Sequence, residues 1–161
     1  MIRRLQRYVE GLCRAGAFLA ALFMALTVGL IVLEITIRTF FGTSTMVTAE
    51  YSGYFLVATV SLGLAYTLHH RAHIRITLLY DRFSSATRNK LDIAAALVGL
   101  GICGYAIYYS ALMVYENYSL GMTADTVSET PLWIPETAVP VGFVLLFLEL
   151  VAFVLRRFHD R

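Results

Sequence analysis

The chain has 161 residues, of which 58% are hydrophobic and 15% are charged, and its formal net charge is +2. A soluble domain usually carries about 25% charged residues, so this composition excludes an ordinary soluble domain. The two cysteines, Cys13 and Cys103, are too few for a disulfide framework and are typical of small packing residues.

Four long apolar runs follow one another along the chain. Three contain no charged residue for 18 positions or more, and the fourth contains Glu136 at its start and Glu149 inside it. Such runs match the hydrocarbon thickness of a bilayer, where only a helix satisfies its own backbone polar groups. The sequence therefore predicts an all-α membrane protein, a single four-helix domain covering 1–161. The predicted spans are about residues 15–40, 49–68, 92–115 and 134–155.

The first apolar run is longer than the core of a cleaved signal peptide, and no small-residue cleavage pattern follows it. We interpret it as a retained signal anchor.

The basic residues predict the orientation. Twelve of the thirteen fall in three segments that an even number of spans places on one side, and only Arg38 falls on the other. The positive-inside rule therefore predicts that both termini and the middle loop are cytoplasmic. The twelve are Arg3, Arg4, Arg7, Arg14, Arg71, Arg75, Arg82, Arg88, Lys90, Arg156, Arg157 and Arg161.

Two of these cytoplasmic segments are amphipathic. We expect both to lie in the membrane interface, and the alternative is that they extend the neighbouring helices beyond the bilayer. Their apolar residues are Ile2, Leu5, Val9 and Leu12 near the N-terminus, and Ile76, Leu79, Tyr80 and Phe83 in the middle loop.

Small residues recur at helical spacing on three spans and predict close helix packing, either within this chain or against another. Several tyrosines near the outer end of the third span are expected to anchor an assembly at the interface. The small residues are Ala17, Ala21, Ala25 and Gly29, then Gly53, Ser61 and Ala65, then Ala95, Gly99 and Cys103; the tyrosines are Tyr105, Tyr108, Tyr109, Tyr115 and Tyr118.

Ionisable residues beside the apolar runs are the candidates for a functional role. Glu34 and Arg38 are four residues apart, which predicts an ion pair at the outer interface, with Glu50 sharing it. Glu149 lies about two turns inside the end of the fourth span, and we expect it to pair with Arg14, Arg156 or a partner chain.

The sequence predicts no cofactor and no enzyme. His69 and His73 can share a helical face, but no cysteine or carboxylate joins them locally as a metal ligand. No histidine lies at bilayer depth to hold haem, and neither a nucleophile–base set nor a nucleic-acid signature is present. A transport pathway would need broken helices or polar groups near the midplane, and the only mid-helix proline, Pro140, lies near the outer face.

The order of these features resembles the small membrane subunit of tripartite ATP-independent periplasmic (TRAP) transporters. The resemblance covers almost the whole chain, although a tryptophan common in the family before Glu50 is absent from Met46-Val47-Thr48-Ala49. The residues that carry it are Glu34-Ile35-Thr36-Ile37-Arg38-Thr39-Phe40-Phe41, Glu50, Leu62-Gly63-Leu64-Ala65, Arg71-Ala72-His73-Ile74, Pro131, Trp133, Pro135, Pro140 and Gly142.

The resemblance implies a scaffold in the bacterial or archaeal inner membrane, bound to lipid and to a large elevator-type permease. It implies sodium-coupled uptake of an organic acid delivered by a periplasmic binding protein. Two alternatives stay open: a stand-alone proton-coupled exporter that uses Glu34, and a membrane anchor of a redox enzyme. The candidates for structural or subunit-interface contacts are Glu34, Arg38, Glu50, Arg71, His73 and Glu149.

Overall fold

The computed structural model describes residues 2–70 and 85–159. Within them, four segments are long and apolar enough to cross a membrane, which confirms the predicted fold class. The helices are α1 (Ile2–Phe41), α2 (Thr48–His69), α3 (Ser85–Ser119), α4 (Trp133–Glu136) and α5 (Ala138–His159).

Helix α1 begins at Ile2, well before the predicted start of the first span. At 1.5 Å per residue it is about 60 Å long, roughly twice the hydrocarbon thickness. The N-terminal amphipathic segment is continuous with it, and Val9 and Cys13 are buried in a cluster with Ala65 and Ala152. This segment is therefore an extension of the helix. The second amphipathic segment lies outside the described residues.

Helix α5 lies between the other long helices. It runs parallel to α2, because Ser61 lies beside Gly142 and His69 lies beside Glu149. Helix α1 runs antiparallel to both. Helix α3 packs antiparallel to α5, where Gly99 contacts Leu150. Across the described residues, α3 packs mainly on α4 and α5 and has little contact with α1 or α2.

Two glycines allow the helix backbones to approach most closely. A Cβ atom at Gly142 would overlap the carbonyl oxygen of Ser61, and one at Gly16 would lie 2.9 Å from the carbonyl oxygen of Leu62. Small residues at crossings of this kind let membrane helices pack without a hydrophobic driving force. Ser61 and Ala65 of the stripe on α2 are buried there, with Ala65 completely inaccessible.

Helix α1 packs within the chain through a face different from the predicted small-residue stripe. A Cβ atom at Gly29 would meet no heavy atom within 4 Å, and Ala21 and Ala25 are exposed. The buried small residues of α1 are Cys13, Gly16 and Ala20 instead. The two faces are adjacent on the helix, and the rotation of α1 about its axis decides which one meets α2 and α5.

Pro140 lies just after a break in the fourth span. It has no N–H to donate to the carbonyl of Glu136, and its ring crowds the preceding turn. The helix is consequently divided at Thr137 into α4 and α5. Hydrogen bonds of 3.3 Å from Thr137 N–H to Trp133 and from Val141 N–H to Thr137 connect the two parts.

Two loops, residues 42–47 and 120–132, lie at one end of the bundle, which we call the loop end. The opposite end, where α1 and α3 begin and α2 and α5 end, is the terminal end. Gly42 (φ 65°) and Gly121 (φ 61°) start the two loops in the left-handed region that glycine adopts without strain. The longer loop doubles back through an antiparallel bridge between Thr123 and Pro131.

Candidate functional site

Glu34 holds the short loop between α1 and α2 in place. Its Oε1 accepts a hydrogen bond from Ser44 Oγ at 2.6 Å, and its Oε2 accepts bonds from Thr45 N at 3.1 Å and Thr45 Oγ1 at 2.5 Å. Thr48 Oγ1, in the first turn of α2, donates to Oε2 at 3.2 Å. The carboxylate therefore fastens the loop and the start of α2 to the end of α1.

These donors leave Glu34 little capacity to bind anything else. A carboxylate offers about four lone-pair positions, and hydroxyl and N–H donors of this loop already occupy that number. A cation at this site would have to displace several of these bonds at once. The geometry fits a structural anchor better than an ion-binding or proton-carrying group.

Arg38 forms the predicted pair with Glu34, and it is the weakest of the Glu34 contacts. Its Nη2 lies 3.3 Å from Glu34 Oε1, and its side chain is 69% exposed. An exposed pair of this kind gains little free energy because water screens it. The sequence predicted the pair and missed the hydroxyl donors, whose signal was the run Thr43-Ser44-Thr45 after Gly42.

Glu50 does not share the Glu34 pair but binds the longer loop. Its Oε2 accepts hydrogen bonds from Thr126 Oγ1 at 2.5 Å and Ser128 Oγ at 2.6 Å, and its Oε1 accepts one from Tyr54 at 2.9 Å. Tyr51 adds a hydroxyl contact to Thr130 at 3.1 Å. The first two turns of α2 thus hold the loop that leads into α4.

A third carboxylate at the loop end joins α3 to α4. Asn117 Nδ2 donates to both oxygens of Glu136, at 2.9 and 2.7 Å. Tyr118 packs edge-on against Trp133, with ring centroids 5.5 Å apart. These contacts close the far side of the same loop, so three glutamates hold the two loops at the loop end.

Glu149 is the buried carboxylate of the terminal end. It is 1% exposed and lies between α1, α2 and the last turns of α5. Its Oε1 makes a short ion pair with Arg156 and lies 3.1 Å from His69 Nδ1. The thiol of Cys13 is 3.9 Å from Oε2. The carboxylate thereby connects three helices at a depth where an unpaired charge would be costly.

Glu149 pairs with one of its two expected partners within the chain. Arg156 pairs with it, whereas Arg14 lies 2.5 Å from Glu10 on the exposed face of α1. The sequence indicates His69 only as a candidate metal ligand; its contact with Glu149 has no local signal, because the two residues are 80 positions apart. The other two candidates, Arg71 and His73, lie outside the described residues.

Among the described residues, no group of three or more histidine, cysteine or acidic side chains is placed to hold a metal ion. An apolar crevice of about 350 Å³ opens between α1, α2 and α4, lined by residues such as Phe23, Phe55 and Ile134. The four glutamates described above lie at the two ends of the helices and are bound by neighbouring groups. The arrangement can hold helices and loops together.

The fold and these contacts define a multi-pass membrane protein whose acidic side chains fasten helices and loops. The family model for tripartite ATP-independent periplasmic transporters, DctQ component, matches residues 27–160. The chain therefore belongs to this family, which confirms the resemblance seen in the sequence. It is a small subunit of a TRAP transporter, a transport component and not an enzyme.

A curated relative agrees with this assignment. The ectoine TRAP transporter small permease protein TeaB of Halomonas elongata is 27% identical to this chain over 104 residues. The alignment covers 65% of this chain and 53% of the relative, so the chain matches about half of the relative's length.

Proposed function

We propose that this subunit is a scaffold that moves no solute itself. In this proposal it binds a large elevator-type permease, which carries the solute and sodium sites, in the inner membrane of a bacterium or archaeon. A periplasmic binding protein delivers the solute to the complex, and the solute is an organic acid. Membership of the family supports this arrangement, and the ectoine system of the relative gives one named example of such a transporter.

The main support for the proposal is that the glutamate carboxylates bind other groups of this same chain. A sodium or organic-acid site needs oxygens, cations or helix ends that converge near the midplane. Glu34 and Glu50 instead bind hydroxyl groups of loops, and Glu149 binds Arg156. These bonds suit a rigid supporting subunit. They also weigh against the exporter alternative, because Glu34 is occupied by the loop.

The proposed orientation places the terminal end in the cytoplasm and the loop end in the periplasm. It rests on the positive-inside rule and the twelve-to-one division of basic residues. Single cysteines at Asp125 and Arg82, in a background lacking Cys13 and Cys103, test it with an impermeant thiol reagent on intact cells. Labelling is expected at Asp125→Cys, and labelling at Arg82→Cys alone would reverse the orientation.

Reconstitution tests the function itself. In proteoliposomes with an imposed sodium gradient, uptake of a labelled organic acid should require this chain, the large permease and the binding protein together. The chain alone should show no uptake. Gradient-driven transport by the purified chain alone would refute the scaffold and favour the exporter. A haem or flavin spectrum in the purified chain would favour the redox anchor.

A further inference from the structure

Helix α3 leaves one face uncovered by this chain. Ala96 and Cys103 are buried on the side that packs against α5. The opposite side carries residues spaced three or four positions apart, and several are among the most exposed in the chain: Tyr105 is 66% exposed and Tyr108 is 63% exposed. We call this side the tyrosine face; it consists of Val98, Gly101, Tyr105, Tyr108, Tyr109 and Leu112.

The distances of its three tyrosines from the nearest charges along α3 place them deeper than the membrane interface. Tyr105 comes thirteen residues after Asp92 and eleven before Glu116, so it is about 16 Å or more from either charge along the helix. Half of the hydrocarbon thickness is about 15 Å. Tyr108 and Tyr109 lie about 10–12 Å inside Glu116 by the same spacing. The expected interfacial anchor therefore fits Tyr115 and Tyr118, but not these three.

Among the described residues, the hydroxyl groups of the three deep tyrosines find no hydrogen-bond partner. The rings contact one another, with centroids 4.4 Å apart for Tyr105–Tyr109 and 5.2 Å for Tyr108–Tyr109. Within the part of the chain that the structure describes, none of the three hydroxyls has a hydrogen-bond partner. By contrast, the hydroxyls of Tyr51 and Tyr54 on α2 contact Thr130 and Glu50.

Lipid chains cannot satisfy the hydroxyl groups of this face. A helical side chain leans toward the N-terminus of its helix, which in α3 moves the hydroxyls away from the loop end and toward the bilayer centre. Hydrocarbon accepts no hydrogen bond, so an unpaired hydroxyl there costs free energy. Three such groups on one face point to a neighbour with hydrogen-bond acceptors, and a protein helix can provide them.

We propose that the tyrosine face binds a transmembrane helix of the large permease, whose carbonyl or side-chain oxygens accept hydrogen bonds from Tyr105, Tyr108 and Tyr109. Gly101 lies on the same face with no heavy atom within 4 Å of a Cβ position, so the partner helix can approach closely. This inference rests on the proposed function, and it adds the face and the chemistry of the contact.

Tyrosine-to-phenylalanine variants test the hydrogen bonds while keeping the rings. The large permease is co-expressed and co-purified through a tag on this chain, and the dissociation constant of the complex is measured in detergent. Each of Tyr105→Phe, Tyr108→Phe and Tyr109→Phe should weaken binding about threefold, and the triple variant about twentyfold. Tyr115→Phe is the matched control and should leave the affinity unchanged: Tyr115 immediately precedes Glu116, so its hydroxyl lies near the membrane interface where water can accept its hydrogen bond, and the variant keeps the anchoring ring.

A photo-crosslinking amino acid at position 105 identifies the neighbour. A crosslink to the large permease is expected. Crosslinks found only to phospholipid, or only to a second copy of this chain, would overturn the inference. Wild-type affinity in the triple variant would also overturn it while leaving the proposed function intact. If the wild-type chain never binds the large permease, the proposed function itself fails.

Discussion

The two ends of the bundle use glutamates in different ways. At the loop end, Glu34 and Glu50 bind neutral hydroxyl groups of nearby loops and stay partly exposed. At the terminal end, Glu149 is buried and binds the cationic Arg156 and the side chain of His69. The glutamates of the loop end therefore hold loops in place, whereas Glu149 at the terminal end fixes the positions of three helices. Substitutions at the terminal end should consequently affect the whole bundle, and those at the loop end should act locally.

The largest effect is expected for Glu149→Ala. Removing one member of a buried ion pair leaves the other charge uncompensated, and we expect a cost of about 3 kcal/mol, the lower end of the usual range, because Arg156 is 31% exposed. Thermal unfolding of the purified chain in detergent measures the loss. Glu10→Ala is the control, because its pair with Arg14 is exposed and contributes no more than about 1 kcal/mol. Equal unfolding temperatures for the two variants would show that Glu149 does not hold the terminal end together.

A second large effect is expected for Gly142→Ala, midway between the two ends. The added methyl group would overlap the Ser61 carbonyl and push α2 and α5 apart, at a cost of about 1–3 kcal/mol. Gly53→Ala on α2 meets no neighbouring atom and should be neutral or stabilising by up to about 1 kcal/mol. The same unfolding assay compares them, and an unaffected Gly142→Ala protein would mean that the two helices do not cross at this point.

A local effect is expected for Glu50→Ala. Thr126 and Ser128 would lose their acceptor, so amide hydrogen exchange in residues 120–132 should accelerate roughly five- to tenfold. Exchange in residues 42–47 should stay unchanged because Glu34 holds that loop. Asp125→Asn, on an exposed side chain of the longer loop, is the control. Acceleration throughout the bundle would contradict the local role assigned to the loop end.

The smallest effect is expected for Arg38→Gln, since the side chain is 69% exposed and 3.3 Å from Glu34. Its unfolding temperature should match that of the wild type. A simple ion pair would predict that exchanging the charges, Glu34→Arg with Arg38→Glu, recovers some of the assembly lost in either single variant. The structure predicts no recovery, because an arginine at position 34 cannot accept the bonds from Ser44 and Thr45. Recovery in assembly of the complex would restore the simple ion-pair interpretation.

The sequence could predict the features that depend on composition or on local spacing. Hydrocarbon excludes unpaired backbone groups, so the apolar runs determined four spanning helices before any packing was known. The spacing of four residues placed Arg38 beside Glu34. The ordered motifs along the chain were enough to indicate its family.

The tertiary structure decided the contacts that depend on how each helix is rotated and which helix it meets. Hydropathy is nearly uniform around a membrane helix, so it did not show that α1 packs through Cys13 and Ala20 rather than through the neighbouring stripe. His69 and Glu149 are 80 residues apart and meet only because α2 and α5 run parallel. Glu50 likewise finds Ser128 because the long loop folds back over α2, a path that no local spacing encodes.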